Sequence, residues 1–218
     1  MVRTAVLVSG GGTNLQALID ARLFGMLPNC ELAAVISSNP KAYALERARN
    51  ANIPAYVIDR ETFPNRNSFS EAIANMLKDL DIELVVLAGF LYVLTRRVTD
   101  EFENRIINIH PALIPAFCGD GYYGIHVHEK VLEYGVKLTG ATAHFATSET
   151  DAGPIIIQKA VAVHEGDTPE ALQLRVMKEA EWEILPQAVS LFCQGRLSVE
   201  GRIVHIKEEE EKENGSDS

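Results

Sequence analysis

AVLVSGGGTNLQALIDA, residues 5–21, predicts how this chain begins to fold. A strand-length apolar run is followed by three glycines and then by apolar residues at helical spacing. The turn between such a strand and helix presents free backbone N–H groups and the positive end of the helix dipole to an anion. We therefore expect a phosphate site at Gly12, Thr13 and Asn14, with a tight turn that binds nothing as the alternative.

The residues around this loop restrict the kind of phosphate. The loop lacks the Lys-Ser/Thr pair of a nucleoside triphosphate site, and Leu15 stands where the dinucleotide fingerprint has Gly or Ala. The second predicted strand ends in Ser37-Ser38-Asn39, without the acid that would bind a ribose diol. These features argue against a nicotinamide cofactor (NAD) and favour a single phosphate monoester.

Apolar runs of strand length alternate with helical stretches along the first half of the chain, which predicts a parallel sheet covered by helices. The predicted strands are Ala5 to Val8, Leu32 to Ile36, Ala55 to Ile58, Leu84 to Ala88 and Ile106 to Ile109. The predicted helices are Asn14 to Ala21, Tyr43 to Ala51, Ser68 to Leu80 and Thr168 to Phe192. Alternating residues at 137–145 and 155–163 predict later strands, with antiparallel pairing as the expectation. The predicted fold class is α/β: a Rossmann-like, mostly parallel sheet with helices on both faces.

Composition and charge predict one globular domain. The 218 residues are 47% hydrophobic, which is enough apolar material to bury one core. We expect a single domain over residues 1–206 and a disordered acidic tail over residues 207–218, where two Lys stand against six Asp and Glu. The net charge of −10 gives the chain no electrostatic attraction for nucleic acid.

Signals for membranes, export and metals are missing from the sequence. No apolar run approaches the roughly 18 residues of a membrane helix, and the first residues do not form a signal peptide, so we expect a cytoplasmic protein without membrane contact. The three cysteines are far apart and form no CxxC pair. His126 and His128 lack a third ligand at suitable spacing, so we expect them on the surface or in a loop and expect no metal site.

Polar residues cluster where the fifth predicted strand ends. Period-two alternation places Asn108 and His110 on one side of that strand, at the edge where open α/β sheets bind ligands. An amide beside an imidazole can hold a developing oxyanion and move a proton. Asp151, in a turn before a later strand, can reach the same edge and raise the pKa of His110. The alternatives are a hydrogen-bonded strand-end histidine and an ordinary turn aspartate.

Five segments, in this order, resemble the glycinamide ribonucleotide formyltransferase family. They are SGGGTNLQALID (9–20), VVLAGFLYVLT (85–95), INIHPALIPAF (107–117), GATAHF (140–145) and SETDAGPIIIQ (148–158). The resemblance runs from about Val6 to Leu197. It implies the formyltransferase fold and a reaction in which 10-formyltetrahydrofolate formylates the glycine amine of 5-phosphoribosyl-glycinamide during purine (IMP) synthesis.

The resemblance also implies a role for each matching residue. Asn108 and His110 would contact the formyl oxygen, His110 would donate a proton, and Asp151 would keep His110 charged. The substrate phosphate would be bound by Gly12, Thr13 and Asn14. Folate would be bound by Arg66, Leu91, Tyr92, Val93, Leu94 and Asn108, with an ordinary exposed arginine at a helix start as the alternative for Arg66. Thr142 and His144 would either support the catalytic residues or form only a structural strand pair.

Three features depart from the family pattern. Tyr92 replaces an arginine of some relatives, so the folate tail has to be held differently. Loop 118–124 is longer than the compact family form and either covers the site or packs on the surface. In the last predicted helix one extra residue shifts the register at Glu181, which either contacts the substrate amine or ribose or lies on a solvated helix face.

Two other functions stay open at this point. A formyltetrahydrofolate hydrolase shares the Asn, His and Asp chemistry but typically carries an additional amino-terminal domain. A non-catalytic sensor of a sugar phosphate would need only the glycine-rich loop, and the presence of Asn108, His110 and Asp151 argues against it. The partners expected for the transferase are its two small substrates, and the chain is expected to be a monomer or a homodimer.

Overall fold

The computed structural model describes residues 1–208. The strands are β1 (Val2–Val8), β2 (Cys30–Ser37), β3 (Ala55–Val57), β4 (Leu84–Leu87), β5 (Ile106–His110), β6 (Leu138–Phe145), β7 (Ile155–Ala162), β8 (Leu197–Glu200) and β9 (Ile203–Ile206). The α-helices are α1 (Thr13–Leu23), α2 (Ala44–Asn50), α3 (Arg66–Asp79), α4 (Arg96–Thr99), α5 (Ile125–Tyr134), α6 (Pro169–Val176) and α7 (Trp182–Cys193). A 3₁₀ turn (Arg60–Thr62) precedes α3, and a π-helical turn (Met177–Glu181) joins α6 to α7.

A single nine-stranded sheet runs through the described residues in the order β3-β2-β1-β4-β5-β6-β7-β9-β8. The first five strands of the chain pair in parallel. From β5 onward the pairing changes, because β6 is antiparallel to β5 and β7 is antiparallel to β6. The predicted fold class and its antiparallel later strands are confirmed. The β8–β9 hairpin at the sheet edge was not predicted.

Alternating residues of β1 build two hydrophobic layers, one on each face of the sheet. Ala5 and Leu7 pack with α3 and α4, whereas Val6 and Val8 pack with α1 and α7. Strands that are apolar on both sides require helices on both sides, and the burial of each large apolar side chain contributes about 1.5–3 kcal/mol. The continuous apolar run at the start of the chain therefore places β1 at the centre of the fold.

The loops after β1 and β4 meet at a crevice at the carboxyl edge of the sheet. These two strands are neighbours in the sheet, and the strand order reverses between them, which is where open α/β sheets bind ligands. The Ser9 backbone N–H donates to the Gly89 carbonyl (3.2 Å), and the Ser9 hydroxyl accepts from the Leu91 N–H (3.1 Å). The two loops are therefore held together at their base.

The helical stretch predicted over Thr168 to Phe192 is continuous but not regular. The Thr168 hydroxyl accepts from the Ala171 N–H (3.2 Å) and so caps the start of this stretch. The π-helical turn then interrupts the α geometry at residues 177–181. Among residues 1–208, no helix is long and apolar enough to span a membrane. The predicted acidic tail lies outside the described residues from residue 209 onward.

Candidate active site

A cavity of about 360 Å³ lies at the carboxyl ends of β1, β4 and β5. Loop 119–124, the turn before β7 and the last helical stretch complete its wall. The cavity brings together most of the predicted site residues, namely Thr13, Asn14, Leu91, Tyr92, Val93, Leu94, Asn108, His110, Asp151 and Glu181. Gly12 precedes the lining residues. Arg66 is exposed at the start of α3 and does not line this cavity.

The glycine-rich loop is clamped by α2. Gly12 adopts a left-handed conformation (φ 71°), and a Cβ there would lie 2.6 Å from the Ala44 Cβ. The Arg47 Nε donates to the Gly11 carbonyl (2.8 Å), and the Ala44 N–H donates to the Gly10 carbonyl (3.1 Å). Only glycine combines this conformation with so close an approach. The clamp fixes the loop at the start of α1, where the N–H groups of an anion site are found.

Glu181 is buried next to this loop. The Asn14 Nδ2 donates to the Glu181 Oε2 (2.6 Å), which joins α1 to the π-helical turn. Burial raises the pKa of Glu181 to about 7, and the hydrogen bond from Asn14 offsets this rise only in part. The solvated helix face considered for Glu181 is therefore wrong. A single π turn accommodates one extra residue in a helix, and here it directs this carboxyl inward.

His110 is held by its loop and by Asp151. Its Nε2 donates to the Phe117 carbonyl (2.8 Å), and its Nδ1 lies 3.4 Å from the Asp151 Oδ2. Burial lowers the pKa of His110 below its ordinary value, while the charge of Asp151 and the Phe117 carbonyl act in the opposite direction. Asp151 thus acts on His110 in the predicted direction, but burial outweighs it in the free protein.

Asp151 occupies a strained turn. It is left-handed (φ 51°), and its Oδ2 accepts from the Gly119 N–H (2.9 Å). Burial acts to raise the pKa of this carboxyl, but the nearby His144 imidazole, whose Nε2 lies 3.7 Å from Oδ1, the charge of His110 and the Gly119 N–H outweigh it and lower the pKa. Two residues later, a Cβ on Gly153 would lie 1.8 Å from the Phe145 carbonyl oxygen, so the turn packs directly on β6. Non-glycine residues in such conformations concentrate at functional sites.

Asn108 and His144 lie opposite each other on β5 and β6. The Asn108 Nδ2 lies 3.1 Å from the His144 Nε2, and the His144 Nδ1 lies 3.0 Å from the Phe145 carbonyl. The carbonyl requires Nδ1 to carry the proton, so Nε2 accepts from the amide. His144 therefore orients the Asn108 amide and leaves its second N–H available.

Thr142 supports the segment that follows His110. Its hydroxyl donates to the Ala112 carbonyl (2.7 Å) and accepts from the Ile114 N–H (3.1 Å). Gln158 donates to both the Thr142 hydroxyl (3.0 Å) and the Ile114 carbonyl (2.9 Å). This buried network was not predicted beyond Thr142, because it depends on pairing between β6 and β7.

The long loop and the predicted folate segment form opposite parts of the cavity wall. Residues 119–124 line the cavity, and the Thr150 hydroxyl donates to Asp120 (3.0 Å), so the loop is more than surface packing. On the other segment, Tyr92 packs edge-on against Phe69 (5.5 Å) and Phe90 (5.9 Å). Tyr92 therefore extends an aromatic cluster rather than supplying a charge.

His128 was predicted to lie on the surface or in a loop, and that prediction is wrong. It is fully buried on α5, and neither ring nitrogen has a hydrogen-bond partner among the described residues. Burial, together with a smaller effect from the charge of His110, lowers the pKa of His128 to about 4. Within residues 1–208 no group of three or more His, Cys, Asp or Glu side chains could hold a metal ion.

The family model described as "Formyl transferase" matches residues 2–189. The chain belongs to this family. It is 37% identical over 206 residues to the phosphoribosylglycinamide formyltransferase of Haemophilus influenzae, and the match covers 94% of each chain. The fold resembles the crystal structure of glycinamide ribonucleotide transformylase 1 from Symbiobacterium toebii, with a TM-score of 0.89, 45% identity and 95% of each chain covered.

A second kind of relative is much longer. This formyl transferase is 42% identical over 200 residues to the trifunctional purine biosynthetic protein adenosine-3 of Gallus gallus. The match covers 91% of this chain and 19% of that protein, so the chain spans about a fifth of its length.

Gly12→Ala should destabilise the fold by about 1–3 kcal/mol, because alanine is strained at φ 71° and its Cβ would overlap Ala44. It should also weaken the binding of a ribose phosphate by displacing the loop N–H groups. Thermal denaturation and a binding titration measure the two effects. Gly10→Ala is the matched control, since a Cβ there meets no atom within 4 Å. Equal losses of stability and of affinity in both variants would contradict the tight contact between Gly12 and α2.

Glu181→Gln should become more stable relative to the wild type as the pH rises from about 5 to 8. The pKa of Glu181 is raised from 4.5 to about 7, so the folded protein binds a proton that the unfolded chain releases, and wild-type stability falls over this range. The difference should reach a few kcal/mol in urea denaturation. Glu179→Gln, an exposed change in the same turn, should show no such trend. A pH-independent difference for Glu181→Gln would disprove the raised pKa.

Proposed function

We propose that this protein transfers the formyl group of 10-formyltetrahydrofolate to the glycine amine of 5-phosphoribosyl-glycinamide, a step of purine (IMP) synthesis. One observation carries the proposal: a single cavity is lined by the start of α1, by the cluster of Asn108, His110 and Asp151, and by an apolar wall from residues 89–94. The helix start suits a phosphorylated amine, the polar cluster suits a formyl group in transfer, and the apolar wall suits a flat heterocycle. The names of the full-length relatives support the same reaction.

The phosphorylated amine is assigned to the side of the cavity near α1. Thr13 and Asn14 supply N–H groups at a helix start, where a phosphate is favoured by both hydrogen bonding and the helix dipole. The buried Glu181 carboxyl is hydrogen-bonded to Asn14 and can accept from a ribose hydroxyl or the amine. Gly12, Thr13, Asn14 and Glu181 are therefore our proposed substrate-binding residues.

Formyl transfer is assigned to the polar cluster. The amine nitrogen attacks the formyl carbon, a tetrahedral intermediate forms, and the bond from that carbon to folate N10 breaks while the amine loses a proton and N10 gains one. The free N–H of Asn108 and the imidazole of His110 are placed to stabilise the developing oxyanion, and His110 carries the proton. A His110 pKa below its ordinary value suits a group that releases a proton near neutral pH.

Asp151 stabilises the charged form of His110 as that form appears. Its carboxylate lies 3.4 Å from Nδ1 and is itself kept ionised by its hydrogen bonds. In the free protein the Phe117 carbonyl occupies Nε2, so the substrate has to replace that acceptor before His110 can act on it. Folate binding is assigned to Leu91, Tyr92, Val93, Leu94 and Asn108, with Arg66 reaching the tail from outside the cavity.

We propose that residues 1–206 form one domain with an acidic tail, that the protein acts in the cytoplasm as a monomer or homodimer, and that it uses no nucleic acid, metal or NAD. A formyltetrahydrofolate hydrolase is the weaker alternative, because it has no use for a phosphate loop and a buried carboxyl beside the formyl site.

The reaction is tested by measuring folate release with and without 5-phosphoribosyl-glycinamide. We expect turnover only when the amine is present, with formylated amine and tetrahydrofolate formed in equal amounts. Release that does not depend on the amine would establish the hydrolase instead. Binding of both ligands without turnover would indicate a non-catalytic sensor.

His110→Ala should lower kcat by about 10²–10⁴-fold, because a proton carrier at the reacting atoms is removed. Binding of the phosphorylated amine should change little, since its phosphate is held at α1. His126→Ala is the matched control: His126 is an exposed residue of α5 that pairs with Glu129. Near-normal turnover of His110→Ala would exclude His110 as the proton carrier.

A further inference from the structure

One wall of the cavity is mostly apolar and comes from a single segment of the chain, between the end of β4 and α4. It begins at Leu87 at the end of β4, continues through residues 89–94 and ends at Thr99 on the short helix α4. Leucine, phenylalanine and valine side chains dominate this wall, and they offer a ligand contact area without hydrogen bonds. A heterocyclic ring with polar atoms on its rim would need at least one polar partner here.

Two residues of this wall carry a hydroxyl, the exposed Tyr92 and the buried Thr99. Thr99 is 6% exposed, and its hydroxyl has no hydrogen-bond partner among the described residues. A helical threonine often bonds a preceding carbonyl, but here the Thr95 carbonyl accepts from the Thr99 backbone N–H and the hydroxyl remains unpaired. By contrast, the hydroxyl of Thr142, which is also buried, makes three hydrogen bonds.

An unpaired buried hydroxyl destabilises the folded protein. It costs about 1–3 kcal/mol relative to a paired one, so most buried hydroxyls in proteins have a partner. Valine has nearly the same shape and would remove this cost from the free protein. A threonine at a cavity wall is therefore best explained by a partner that arrives with the ligand.

We propose that the Thr99 hydroxyl hydrogen-bonds a polar rim atom of the heterocycle of the formyl carrier and so helps to select that ring. The inference rests on the proposed function, because it takes the apolar wall to be the binding site of the folate ring. A hydroxyl both donates and accepts, so it can pair with a ring N–H, an amino group or a ring carbonyl. Thr99 is a specificity contact, remote from the reacting atoms.

Thr99→Val tests the contact with little change of shape. Calorimetry with a formyl-folate analogue should show a Kd that rises about three- to tenfold, the value of one neutral hydrogen bond, and the KM for the formyl carrier should rise equally. The kcat and the KM for the phosphorylated amine should stay within about twofold. The free variant should melt at the same or a higher temperature, because an unpaired buried hydroxyl has been removed.

Two further variants complete the design. Thr139→Val is the matched control: the Thr139 hydroxyl on β6 is likewise buried without a partner in the described part of the chain, but it does not line the cavity. This control should gain stability and leave folate binding unchanged. Thr99→Ser keeps the hydroxyl and should recover most of the affinity that Thr99→Val loses.

The outcomes separate the two proposals. If the wild type binds the analogue and Thr99→Val binds it equally well or more tightly, the contact is disproved and the proposed function stands. If the wild type binds no folate, both fail. If Thr99→Ser, which keeps the hydroxyl, is as weak as Thr99→Val, the hydroxyl does not carry the affinity, and the contact is overturned.

Discussion

The register between β5 and β6 is the constraint on which the polar cluster depends. Asn108 faces His144, and His110 faces Thr142, across one antiparallel ladder. A slip of one residue would turn both pairs to the opposite face of the sheet, where they would meet the hydrophobic core. Gly140 constrains the pairing of β6 with β7 on its other edge, because a Cβ there would lie 2.0 Å from the Lys159 carbonyl oxygen. The chemistry of the cavity is thus set by strand pairing.

The surroundings of two carboxyl groups in the cavity shift their pKa values in opposite directions. Glu181 has one hydrogen-bond donor in a buried position, and its pKa rises to about 7. Asp151 has the Gly119 N–H and two imidazoles around it, and its pKa falls although it is also buried. One group can therefore exchange a proton near neutral pH while the other stays charged. Such a division between two acids in one cavity is typical of sites that move protons.

Local patterns in the sequence were sufficient to predict much of the fold. The alternation of strands and helices, the glycine-rich turn and the N-cap at Thr168 follow from neighbouring residues, and all appear in the structure. The β8–β9 hairpin escaped prediction because its strands are four residues long, lie at the sheet edge and bury little. The burial of His128 and the unpaired hydroxyl of Thr99 depend on contacts between distant segments. Composition and periodicity carry no signal for either.

Backbone groups of Phe117 and Gly119 are hydrogen-bonded to the polar cluster. The Phe117 carbonyl accepts from His110, and the Gly119 N–H donates to Asp151, so neither buried group is left unpaired before a ligand arrives. A polar cluster in an apolar cavity would otherwise destabilise the fold by the desolvation of each group. On the proposed function, a formyl group would engage His110 by taking the place of the Phe117 carbonyl. A ligand without an equivalent acceptor would leave that imidazole unpaired, so we expect this contact to favour substrates that offer one.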